Sequence, residues 1–190
     1  ERAMVSASDR LYLVRFSAVT TVVFLMAFGL FQLLTSQQEA IARQQEKNDR
    51  EKTETLVTIM LGAPGSAFPY TRQLVVPFHK YAHEDLHGRL SAGGLTPSQE
   101  LHARLYLADS GEIDVDFIVE AVASCDTFEC ANIVGALRPV EEKALARIQS
   151  KFRMAHKASR IRTAARLAVV ALAFGDTAPA EELSRLQSDP

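Results

Sequence analysis

Apolar positions fall into two regimes along this chain. The first is a continuous run, residues 16–34, reading FSAVTTVVFLMAFGLFQLL. It holds no charge, and its polar side chains are Ser17, Thr20, Thr21 and Gln32. As a helix it is about 28 Å long at ~1.5 Å per residue, close to the ~30 Å hydrocarbon core of a bilayer. A segment in lipid must satisfy its own backbone hydrogen bonds, so the run predicts a single spanning helix. A buried core helix and a cleaved signal peptide are the competing readings. The run exceeds the ~7–15 apolar residues of a signal sequence, and no A-x-A cleavage pattern follows it.

The second regime is amphipathic. Residues 35–54 (TSQQEAIARQQEKNDREKTE) are Gln, Glu, Lys and Arg with hardly an apolar position. These are good helix formers, so the stretch predicts a solvated helical stalk. Ile41 has no heptad partners, which argues against a coiled coil. From residue 55 apolar residues recur at helical spacing. Leu56, Val57, Ile59, Met60 and Leu61 end at Gly62-Ala63-Pro64-Gly65, a helix stop. Residues 67–90 form a second helical region that Pro77 breaks or kinks. Thr96-Pro97-Ser98-Gln99 is a helix start, with Thr96 as N-cap and Gln99 three residues on. Asp126 or Thr127 caps a later helix that Pro139 interrupts. Residues 160–174 (RIRTAARLAVVALAF) are a strongly apolar helix stopped by Gly175-Asp176. No stretch reads as a strand. The expected fold is all-α, with a flank (1–15), a transmembrane helix (16–34), a stalk (35–54) and a helical-repeat domain (55–190).

The repeat is the most informative feature of that last part. Ala103-Arg104-Leu105 recurs as Ala165-Arg166-Leu167, 62 positions later. Leu56-Val57 aligns with Ile118-Val119 at the same offset. Thr127-Phe128 aligns with Ala67-Phe68, and Leu145 with Leu86, after a small gap. Pro77 and Pro139 sit near the same place in each unit. Helix pairs that bury their faces on their neighbours follow the logic of an α-solenoid, and a compact bundle is the other arrangement open to so short an array.

On these residues the chain resembles the HEAT-like helical module of large membrane-anchored proteins of planctomycete type. Ala136-Leu137-Arg138-Pro139 and Arg162-Thr163-Ala164-Ala165 are the closest points, and the likeness covers about residues 20–188. The resemblance implies a short α-solenoid behind a transmembrane helix, in a parent protein that commonly carries a serine/threonine kinase. This chain departs from the pattern by lacking Trp and by a longer stretch over residues 66–88. It holds no Gly-rich loop, HRD-like loop or DFG, so kinase activity is implied for a parent protein only.

Composition adds limits. The net charge of −2 over 190 residues gives no reason to expect nucleic-acid binding. Basic residues are nearly balanced across the apolar run: Arg2, Arg10 and Arg15 before, Arg43, Lys47, Arg50 and Lys52 after. Arg15 lies against the run, which leans toward a cytoplasmic N-terminus. The expected setting is a single-pass protein of a bacterial inner membrane with its helical body outside the cytoplasm. The expected partners are the membrane and a protein. The first residue is Glu1 and a helix-like run reaches Asp189-Pro190, which suggests a piece of a larger protein.

Candidate chemistry is sparse. His83-Glu84-Asp85-Leu86-His87 matches H-E-x-x-H, in which two imidazoles one helical turn apart hold Zn²⁺ and the Glu serves as general base. His79 extends that face by another turn. Asp85 puts a charge where zinc proteases usually have an uncharged residue, and the third ligand is open, with Glu100 and Glu112 as candidates. The favoured reading is a solvated polar face, with no cofactor and no catalytic residue; zinc at His79, His83 and His87, with Glu84 catalytic, is the alternative. His102 reads as a lone helix residue. Cys125 and Cys130 lie across a helix–helix turn, so both a disulfide and two buried thiols are open. Residues 109–116 (DSGEIDVD) lack EF-hand spacing and read as a loop. Three functions follow: a non-catalytic segment for protein interaction or signal transmission, a zinc peptidase, or a structural subunit of a membrane complex.

Overall fold

The computed structural model describes the backbone of residues 2–188 and the side chains of residues 24, 26 and 28–185. Every regular element among the described residues is helical. Two compact units divide at Asp49 and Arg50. Helix α1 (Arg2–Gly62) supplies the described residues of the first and begins the second.

The described residues correct the membrane expectation. No helix among them is long and apolar enough to cross a membrane. The described apolar part of α1, residues 24–34, would cover only about 16 Å at ~1.5 Å per residue, roughly half a hydrocarbon core. It runs without a break into the polar residues 35–54 of the same helix. The side chains of residues 16–23, 25 and 27, the rest of the expected span, lie outside the described set. The transmembrane helix at 16–34, the single-pass inner-membrane setting and the extracytoplasmic placement that rested on it are therefore withdrawn.

The second unit is built from sequence signals that act locally. The end of α1 buries Thr53, Val57, Met60 and Leu61, a single stripe at helical spacing. Gly62-Ala63-Pro64-Gly65 stops it. Helix α2 (Phe68–Val75) buries Phe68, Thr71 and Val75. Pro77 then falls in a 3-10 turn, Val76–Phe78, and α3 (His79–Ala92) follows. Gly93 and Gly94, at φ 73° and 85°, end α3 in a conformation that a Cβ disfavours. Thr96 caps α4 (Pro97–Ala108) in a full capping box with Gln99. The Asp114 carboxylate accepts from the Phe117 amide and starts α5 (Val115–Ala121). Asp126 and Glu129 form a second capping box on α6 (Thr127–Leu137). Pro139 again falls in a 3-10 turn, Arg138–Val140, before α7 (Glu141–Lys157). Helices α8 (Ile161–Ala173) and α9 (Ala178–Ser188) complete the unit.

The order long helix end, α2, 3-10 turn, α3, α4 recurs as α5, α6, 3-10 turn, α7, α8. The two turns are 62 residues apart, and burial keeps the same register. Val57 and Val119, Met60 and Val122, Val75 and Leu137, Ala82 and Ala144, Leu86 and Ile148, and Leu105 and Leu167 are buried in pairs. The registers that pair Leu86 with Leu145 and Phe68 with Phe128 do not hold. Leu145 is only partly buried, and Phe128 is 60% exposed where Phe68 is 1%.

Candidate functional site

Three places in the second unit gather chemistry. The first is the α3 face that carries the H-E-x-x-H match. His83 and His87 are one turn apart, with ring centroids 5.3 Å from each other. The loop between α4 and α5 brings Glu112 onto them. That loop turns at Gly111, φ 92°, and the Glu112 amide donates to the Leu107 carbonyl, which fixes where the carboxylate stands. Glu112 Oε2 lies 2.9 Å from His87 Nε2, and Oε1 lies 3.6 Å from His83 Nδ1. One ligand atom from each of the three residues falls within 4.8 Å of the other two. His79 is a turn further back, its ring 6.0 Å from that of His83, and is not in this group. Glu84 turns to Arg50 at 3.4 Å. Asp85 is taken by Arg89 at 3.0 Å, and Glu100 by Arg104 at 2.8 Å.

The second place surrounds His102, which is fully buried and not a solvated helix residue. Its ring stacks on Phe68 at 4.5 Å. Nδ1 donates to the Leu61 carbonyl at 3.3 Å, in the tautomer that makes this bond. That carbonyl belongs to the last turn of α1, where no intrahelical donor remains. Nε2 has no hydrogen-bond partner, and Glu129 Oε1 is 3.9 Å away. Burial pushes the imidazole below its ordinary value. The second repeat solves the same need differently: Arg166 donates to the carbonyl of Ala123, the counterpart of Leu61.

No family model, no curated protein and no solved structure matches this chain. Its function therefore has to be argued from its own side chains.

The third place is an apolar groove of about 830 Å³ between α6 and α8. Ala131, Val134, Ala165, Val169 and Ala173 line it, with Arg162 and Arg166 along one side. Cys125 and Cys130 lie at one end, joined as a disulfide with their Cα atoms 6.0 Å apart. Val169 is 63% exposed. The repeat register sets it apart from α4. Ala103 and Leu107, the counterparts of Ala165 and Val169 in α4, are buried. Helix α4 has α3, α5 and α6 against it. Helix α8 has α7 and α9, which stand where α3 and α5 do, and α6 across the groove.

Sequence reasoning reached the imidazoles and the cysteines. It named Glu112 only as one candidate, because a ligand on a loop shows no helical spacing. It missed the groove, whose only sequence signal is that Ala165 and Val169 match buried positions of α4 at the 62-residue offset.

Proposed function

We propose that this chain is a helical-repeat interaction module that accepts one amphipathic helix in the groove between α6 and α8. The observation that carries the reading is the exposed groove face of α8 at Val169, whose counterpart on α4, Leu107, is buried. The way α6 sits gives the docking geometry. Its first turns rest on the first repeat, where Asn132 donates to the Gly65 carbonyl at 3.0 Å and Ser98 to Glu129 at 2.7 Å. A partner helix in the groove would meet Arg162 and Arg166, which line it. Acidic residues in its first turns would complement those guanidinium groups, with apolar residues at i, i+3, i+4 and i+7 filling the groove. Protein interaction of this kind needs no catalytic group. Glu84 pairs with Arg50, so no observation at this site favours the peptidase reading.

The test is selection from a displayed library of helix-forming peptides patterned on residues 126–138, with the whole chain as bait. The expected winners carry acidic residues in the first turn, shift the NMR signals of Val134, Val169 and Ala173, and lose binding at least tenfold to Val169→Glu. Equal enrichment on the chain and on its Val169→Glu variant would overturn the proposal.

A further inference from the structure

We propose that His83, His87 and Glu112 form a binding site for a single Zn²⁺-class transition-metal ion, which ties α3 to the loop between α4 and α5. Both ligand chemistries are those that zinc takes, two imidazole nitrogens and a carboxylate oxygen. At zinc bond lengths of about 2.0–2.1 Å, tetrahedral ligand atoms stand roughly 3.3 Å apart. Glu112 Oε2 stands 2.9 Å from His87 Nε2 and Oε1 3.6 Å from His83 Nδ1, and one ligand atom of each residue lies within 4.8 Å of the other two.

The surroundings favour the metal-ready tautomer. His83 Nε2 is 2.8 Å from Ser110 Oγ. An Nε2 proton donated to that hydroxyl leaves Nδ1 bare toward Glu112. A partner that holds the far ring nitrogen is what orients and tunes a ligating histidine. Ser110 and Glu112 flank Gly111, so one turn supplies both the ligand and this support. His87 and Glu112 are each about half exposed, which leaves a path for the ion and a fourth position for water.

The second repeat shows that the fold itself does not require imidazoles here. The counterpart of His87 is Gln149, which donates to Asp176 at 2.9 Å and joins helix to loop with one neutral donor. The first repeat makes the same junction with three groups that can all ligate. Glu84, the general base of the H-E-x-x-H reading, is turned to Arg50.

The experiment uses the whole chain, stripped with EDTA and titrated with Zn²⁺ by calorimetry, with metal content checked after dialysis. The expected result is one ion per chain and a rise in Tm that EDTA reverses. Each of His83→Gln, His87→Gln and Glu112→Gln should weaken binding by about tenfold or more, the range reached even by outer-sphere changes at metal sites. His79→Gln and Glu84→Gln should leave it unchanged. All five positions are on the surface or partly so, and circular dichroism of each variant verifies the fold. Absence of stoichiometric binding, binding that survives all three ligand variants, or binding lost with His79→Gln would each overturn the proposal.

Discussion

The buried His102 ring makes a quantitative prediction about acid stability. Burial lowers its proton affinity from the ordinary value of 6.5; the Leu61 carbonyl and the Glu129 and Asp126 carboxylates oppose this and are weaker. The unfolded chain therefore binds more protons than the folded chain below about pH 6.5, and stability falls with pH. The contribution is whole above the unfolded value and is lost as pH drops toward the lowered folded one. If the folded ring takes up no proton, the loss between pH 7.5 and 5.5 is about 1.4 kcal/mol, and any uptake makes it smaller. The reference is His102→Leu, which is similar in volume and apolar like Ala164, the counterpart position. At pH 7.5 that variant strands the Leu61 carbonyl, costing about 1–3 kcal/mol, and removes an unpaired Nε2 of comparable penalty, so the two proteins should be close in stability. Urea denaturation of both at the two pH values cancels the other titrating groups. The variant should gain on the parent by up to about 1.4 kcal/mol on acidification. A difference that stays constant would refute the reasoning. A parent that gains in acid would show that Glu129, 3.9 Å from Nε2, pairs with a charged ring.

Three further outcomes test the packing. Gly65→Ala puts a Cβ 2.9 Å from Glu129 Cγ and 3.1 Å from the Glu129 amide nitrogen, so it should cost about 1–3 kcal/mol in urea midpoint analysis by prising α6 off the first repeat. Reducing the Cys125–Cys130 bridge, which closes a short loop, should lower stability by about 2 kcal/mol, read from denaturation curves with and without dithiothreitol. Ile148→Ala empties a fully buried position and should cost about 2–5 kcal/mol, whereas Ile161→Ala, at 53% exposure, should stay within about 0.5 kcal/mol of the parent by thermal melting.

Much of the second unit was legible because its signals are local. Thr96 and Gln99, Asp126 and Glu129, and the glycines after α3 and α4 act within a few residues of themselves. The 62-residue offset was legible from Ala103-Arg104-Leu105 and its echo, but residue type misled its finer register. Phe128 resembles Phe68 in letters, yet the burial pattern matches Phe68 with Cys130. His102 looked like a lone polar residue because a helix's own spacing says nothing of what other elements lay over it; Phe68 of α2 and the end of α1 do so. Glu112 could not be assigned for a related reason, since its meeting with His87 depends on a turn at Gly111. The uncharged run at 16–34 was weighed apart from its continuation, whereas its described part is one piece of a 61-residue helix that soon becomes polar.

The two ways of capping the helix-end carbonyls set an order of opening. Leu61 depends on an enclosed imidazole, and Ala123 on a partly buried guanidinium. Mild acid therefore loads a cost at His102 that has no counterpart at Ala164. Local fluctuations of the chain should cease to be evenly shared, with the amides near Leu61 and His102 exchanging with solvent sooner than those near Ala123 and Arg166. The array then loosens first around Leu61 and His102, at the end of α1.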